Sequence, residues 1–197
     1  MSDPVEDAVA AARRGELIVF PTDTVYGIAT RPDDPAATAR LFDAKHRPRD
    51  LTLPVLVGNT TQGRAIARFD DRAERLAQAL WPGPLTIVLP RSAASEGWDL
   101  GGDPTSIGVR VPNHPLALAV LAGGALATTS ANRSGDPPAA TCAELVAAFS
   151  GDVEVFLCED EPRQGAASAV VSLLGDRLEI LRPGDLDPAV IARLSAG

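Results

Sequence analysis

The sequence predicts an α/β protein, a single domain in which a mixed sheet is flanked by helices. Three observations carry this. Short runs rich in branched residues recur along the chain, helix starts fall between them, and two such runs follow one another around Gly175-Asp176. Interleaved strands and helices point to a sheet covered by helices. The two runs in succession read as a hairpin, which makes the sheet mixed rather than purely parallel.

Taken in order, Asp3-Pro4 opens a helix that runs to about Arg14 and stops at Gly15. The aspartate accepts from free N–H groups of the first turn, and proline next to it has a suitable φ and no N–H to leave unpaired. LIVF (17–20) is the first strand. Asp34-Pro35 opens a helix to about Ala44, with Leu41 and Phe42 turned inward. LPVLV (53–57), LTIVL (85–89), IGVRV (107–111) and ALATT (125–129) follow as strands. Thr141 and Glu144 stand at capping-box spacing and start a further helix. VEVFL (153–157), AVVSL (169–173) and LEIL (178–181) are strands, and Asp187-Pro188 opens the last helix through Val190, Ile191 and Leu194. Asp103-Pro104 and Asp136-Pro137 follow glycines and read as loop turns.

A chain of 197 residues suits one domain over 1–197, large enough to bury a core without metal or disulfide support. Apolar residues at 45% and charged residues at 22% exclude a disordered chain. Aromatics are only 4%, so the core is expected to be built from Val, Leu, Ile and Ala. Cys142 and Cys158 have no metal-ligand spacing and read as buried thiols of a cytosolic protein rather than a disulfide. No apolar run reaches the length of a membrane span, and the acidic N-terminus lacks a signal-peptide layout, so a cytoplasmic location is expected. A net charge of −8 argues against a surface coated with nucleic acid, while leaving room for a local basic cleft.

Four polar stretches stand at strand or helix ends, where loops carry function. Pro21-Thr22-Asp23-Thr24-Val25-Tyr26-Gly27 gathers hydroxyls, including the chain's one tyrosine, as a small-ligand pocket would; a turn bonding its own backbone is the plainer reading. Lys45-His46-Arg47-Pro48-Arg49 holds the one lysine against 17 arginines among the 18 basic residues. Cations favour a helix C-terminus, but arginine would serve there equally. A compact ammonium kept against that bias implies a need for its geometry, for example against phosphate. Thr128-Thr129-Ser130-Ala131-Asn132-Arg133-Ser134-Gly135 supplies donors for an anion or nucleotide. Arg110 ends a strand, with His114 nearby as a turn residue. No Walker loop, G-x-S-x-G elbow, H-E-x-x-H or paired-Cys metal site is present.

In order along the chain, PTDTVYG, KHRP, WPGPLT (81–86), VRVPNHP (109–115), TTSANRSG and ILRPG (180–184) resemble the YrdC-like family, the threonylcarbamoyl-AMP synthases. The resemblance runs from about residue 6 to 194, in the manner of the short, single-domain branch. It implies an open twisted sheet around a deep, positively lined cavity. The implied reaction joins L-threonine, bicarbonate and ATP into threonylcarbamoyl-adenylate and releases pyrophosphate, with Mg²⁺ on the phosphates. Downstream proteins then transfer the group to tRNA, and whether this chain itself touches tRNA stays open. By resemblance, Lys45, Arg47, Ser130 and Asn132 hold the nucleotide and its phosphates, with Lys45 and Arg47 as the catalytic pair. Thr22, Thr24 and Tyr26 line the threonine side, and Arg110, Ser168 and Arg182 complete the wall.

Two departures stand out. The family's histidine after K-x-R-P is missing, since Leu51, Thr52, Leu53 and Leu56 occupy that region. The usual Ser-Thr-x-Val-Asp reads Ser168-Ala169-Val170-Val171-Ser172, losing a hydroxyl and a carboxylate. Two other readings therefore stay open: a diverged paralogue forming another carbamoyl or acyl adenylate, and a non-catalytic RNA-binding module. Acidic charge and scarce aromatics disfavour the last.

Overall fold

A computed structural model describes residues 3–159 and 165–196. Among these, nine strands form one sheet: β1 (Leu17–Phe20), β2 (Gly27–Thr30), β3 (Val55–Leu56), β4 (Leu85–Pro90), β5 (Ser106–Arg110), β6 (Leu126–Ser130), β7 (Val153–Phe156), β8 (Ala169–Ser172) and β9 (Glu179–Arg182). The helices are α1 (Pro4–Arg13), α2 (Pro35–Lys45), α3 (Thr60–Ile66), α4 (Asp71–Leu80), α5 (Pro115–Leu121), α6 (Cys142–Phe149) and α7 (Pro188–Ala196). Strand order is β7-β1-β2-β6-β3-β5-β4-β8-β9. Three neighbouring pairs are parallel (β1–β7, β3–β5, β4–β8) and the other five antiparallel, so the sheet is mixed, and its two ends do not meet.

The helix starts follow the side chains that mark them. Asp3 accepts from the Val5 N–H and Asp34 from that of Ala36, each with proline in the first turn. Thr141 and Glu144 close a capping box at α6. Gly15, just past α1, takes φ 79°, a left-handed turn that suits glycine. The β8–β9 hairpin turns where Gly175-Asp176 predicts it.

The sequence reading passes over four elements. β2 is four residues long and begins at a glycine directly after the polar loop. α3 and α4 are capped by Asn59 and Asp70, ordinary turn residues that signal no Asp-Pro start. α5 begins at Pro115, inside the stretch read as a turn. The cysteines are also a correction: Cys142 and Cys158 form a disulfide rather than two thiols. α6 leads back into β7, which brings the first residue of the helix and the chain just past the strand to a Cα separation of 5.5 Å. That distance lies within bonding range.

The core explains where a cavity forms. Strand residues alternate between faces. Leu17, Val19, Ile28, Val55, Leu85, Ile87, Ile107, Val109, Ala169 and Val171 pack into one large cluster with α2, α4, α6 and α7. On the opposite face, Ile18, Phe20, Ala29 and Leu126 pack beneath α1 and α5. Those two helices cover the β7-β1-β2-β6 half. Over the other half, Thr86, Val88, Ser106, Gly108, Ser168, Val170 and Ser172 face a cavity instead.

Candidate active site

The cavity holds about 590 Å³, ample for a nucleotide-sized ligand. Small residues keep it open. A Cβ on Gly27 would lie 2.8 Å from Thr128 Cγ2, and one on Gly108 would press on Thr86. Thr22, Thr24, Tyr26, Arg47, Arg110, Ser130, Ser168 and Arg182 all line it, so residues separated by up to 160 positions meet there. Lys45 and Asn132 stand immediately behind the wall.

The 22–26 loop is a directed hydrogen-bond chain. Thr22 Oγ1 donates to Val25 O at 2.6 Å, so its one hydroxyl proton is committed. Thr24 Oγ1, 3.0 Å away, must therefore donate to Thr22. Thr24 in turn accepts from Arg110 Nη1 at 3.1 Å. The remaining lone pair of Thr24 makes it an acceptor toward a ligand. The phenol oxygen of Tyr26 accepts from the Glu159 N–H at 3.0 Å. His114, the N-cap of α5, contacts Glu159 Oε1 through Nε2 at 3.2 Å, a structural pairing at the edge of this loop.

Lys45 ends α2, followed by His46 in the left-handed region (φ 50°), which turns the chain toward the cavity. Its Nζ is buried and donates to the backbone carbonyls of Ser130 and Asn132. The two stretches are tied elsewhere too, by Ser134 N–H to Lys45 O at 2.9 Å and Arg133 Nη1 to Ala44 O at 3.1 Å. Ser130 Oγ donates to Asn132 Oδ1 at 2.6 Å, leaving the serine oxygen as an acceptor on the wall. Burial, and next the charge of Arg47, push the Lys45 ammonium down to about 7. The carbonyls pull the other way, because they bond the charged form best.

Three guanidinium groups form a cationic arc. Arg47 is steadied by Leu51 O and Thr52 O, and Arg182 donates through Nε to Ser168 O at 2.8 Å. Thr86 and Ser168 hydroxyls meet at 3.0 Å beside it. Burial lowers the affinity of Arg47 and Arg110 for their protons, and the charge of Arg182 adds to this in both. The charge of Arg182 thus reaches both of the others. Like charges held this close favour an anion between them. Among the lining residues the carboxylates are Asp103 and Glu179.

Beyond the motif residues, the sequence reading misses Asp23, Thr86 and Ser106 as parts of the site. The alternation of β4 and β5 signals two of them, once the open face of the sheet is known.

The Sua5/YciO/YrdC family model, described as "Telomere recombination", matches residues 10–184. The chain belongs to this family. Among Sua5/YciO/YrdC relatives, the threonylcarbamoyl-AMP synthase of Chromohalobacter salexigens is 42% identical over 159 residues, 79% of this chain and 85% of that protein. The threonylcarbamoyl-AMP synthase of Pyrococcus abyssi is 37% identical over 182 residues, which is 91% of this chain but only 53% of the longer relative. The crystal structure of P. abyssi Sua5 complexed with L-threonine superposes with a TM-score of 0.86 at 33% identity, covering 98% of this chain and 58% of that one.

Proposed function

We infer that this chain is a threonylcarbamoyl-AMP synthase, a nucleotidyltransferase that serves tRNA modification. The observation that carries the reading is the convergence of all six ordered motifs on one arginine-rich cavity, in a chain whose synthase relatives align along most of its length.

In this reading, the amine of L-threonine and bicarbonate combine to a carbamate with loss of water. A carbamate oxygen then forms a bond to the α-phosphorus of ATP while the α–β phosphoanhydride bond breaks and pyrophosphate leaves. Attacker and target are both anionic, so the protein's task is alignment and charge neutralisation. Arg47, Arg182 and Arg110 supply positive charge along the path, with Ser168 fixing Arg182. Thr22, Thr24 and Tyr26 shape the end that takes the amino acid, where the free lone pair of Thr24 suits an N–H or O–H donor. Ser130 and Asn132 hold the nucleotide side, and Lys45 supports them from behind. Mg²⁺ enters with ATP as part of the substrate.

Among the described residues, no helix is long and apolar enough to cross a membrane. We place the protein in the cytoplasm, where the adenylate would pass to transfer proteins that act on tRNA. The test is direct. Purified protein with ATP, Mg²⁺, L-threonine and bicarbonate should release pyrophosphate, and omission of bicarbonate should stop it. Release indifferent to both threonine and bicarbonate overturns the reading.

A further inference from the structure

Asp23 sits between the two threonines of the polar loop but is not among the residues that line the cavity. Its Oδ1 accepts from Arg110 Nη2 at 2.6 Å, with 14% of its side chain exposed. Arg110 is itself buried, with Nε on Gly83 O at 3.0 Å and Nη1 on Thr24 Oγ1 at 3.1 Å. Each nitrogen of the guanidinium is therefore held by a different residue. Three of its five N–H groups are engaged, which leaves two for the cavity.

Asp23 differs from an ordinary structural carboxylate. Its Oδ2 is buried with no hydrogen-bond partner. A carboxylate kept only for stability normally has both oxygens satisfied, and an orphaned oxygen calls for an explanation. Asp23 also offsets what works against a charged Arg110: burial first, and the charge of Arg182. Its effect then continues past the guanidinium. Arg110 donates to Thr24, Thr24 to Thr22, and Thr22 to Val25 O.

We propose that Asp23 is the positioning residue of this site: by clamping Arg110 it fixes the guanidinium plane and, through Thr24, the direction of the hydroxyl protons on the amino-acid side. This deepens the synthase reading and rests on it for the catalytic consequence. The clamp itself is a property of the fold.

A double-mutant cycle tests it. Asp23→Asn alone should lower kcat/KM for L-threonine by about 30- to 100-fold, whereas in an Arg110→Ala background the same change should cost less than about threefold, because its route of action is already gone. Asp23→Glu should recover much of the loss. Equal losses in both backgrounds overturn the proposal. A second readout does not depend on turnover. By NMR, hydrogen exchange at the Arg110 Nη2–H groups, which Asp23 holds, should be slow in the wild type, at least about tenfold faster in Asp23→Asn, and slow again in Asp23→Glu. Unchanged exchange overturns the clamp. If wild-type protein releases no pyrophosphate, the synthase reading fails and the exchange measurement still decides the clamp. If Asp23→Asn fails to fold, as thermal melting would show, Asp23→Ser, which also removes the carboxylate, replaces it in the cycle and must couple to Arg110→Ala.

Discussion

The side-chain nitrogen of Lys45 donates to the backbone carbonyl of Ser130, so the Lys45–Arg47 stretch braces the Ser130–Asn132 stretch from behind. This gives the chain's lone lysine a reason: a slim head is needed between two carbonyls in a closed space. Lys45→Arg should therefore be nearly as damaging as Lys45→Ala, although it keeps the charge. Crowding of a packed site costs about 1–3 kcal/mol, and displacement of the Ser130 wall by about 1 Å should lower turnover roughly 100-fold. Lys45→Met should leave two buried carbonyls without a donor, at about 1–3 kcal/mol each. Urea melts and pyrophosphate release at saturating ATP check both. Full turnover in Lys45→Arg would rule out the bracing role.

The same lysine should leave a signature in the pH dependence of stability. Its proton affinity in the fold is lowered from 10.5 to about 7. Between those values the unfolded chain binds the extra proton, so stability from this group rises with pH through that window and is least below it. The rise is at most about 1.4 kcal/mol per pH unit. Lys45→Met should remove it. Parallel slopes for wild type and variant in urea melts between pH ~6.5 and ~9 would contradict this.

Reduction should loosen the fold without abolishing it. Cys142 and Cys158 are 16 residues apart, and closing a loop of that size is worth about 3 kcal/mol in the unfolded chain. Dithiothreitol should lower the stability of the wild type by about that amount, while Cys142→Ser should start lower and ignore the reductant. Identical urea midpoints with and without reductant would show that the bridge contributes nothing.

The two changed positions of the Ser-Thr-x-Val-Asp stretch should behave differently. Ser172 faces the cavity, whereas Ala169 is fully buried in the core on the other face. Ser172→Asp should leave kcat/KM unchanged or raise it modestly. Ala169→Thr adds atoms to a filled space and should cost about 1–3 kcal/mol of stability. A jump from no activity to family-like activity in the double variant would mark the natural chain as a diverged paralogue.

Serine should replace threonine poorly but measurably. It lacks one methyl group, worth about 1–3 kcal/mol in an apolar contact, so kcat/KM should differ by roughly 10- to 200-fold. Equal use of the two amino acids would mean that no wall of the cavity contacts that methyl.

Much of this was legible because local chemistry marks it. The Asp-Pro starts, the capping box at Thr141 and the hairpin glycine each act within a few residues, so sequence alone exposes them. The motif residues that line the cavity were legible through resemblance. Lys45 shows the limit: its need for a particular geometry could be read from its rarity, but its partners are backbone carbonyls some 85 positions away, and carbonyls leave no mark in a sequence. Asp23 was hidden for a related reason, since its meaning lies in a contact with Arg110 across 87 positions. The disulfide was discounted on grounds of compartment, which do not report on spatial approach. Helices α3 and α4 lack the Asp-Pro pair that makes α1, α2 and α7 conspicuous.

The parallel pairing of β4 with β8 has a consequence for biosynthesis. Leu85 lies beside Ala169, and Arg182 comes from the strand after that. The floor of the cavity is thus incomplete until residues 169–182 have been made. A growing chain would carry most of the motif residues yet lack the Ser168 and Arg182 wall, which forms only when β8 and β9 join the sheet.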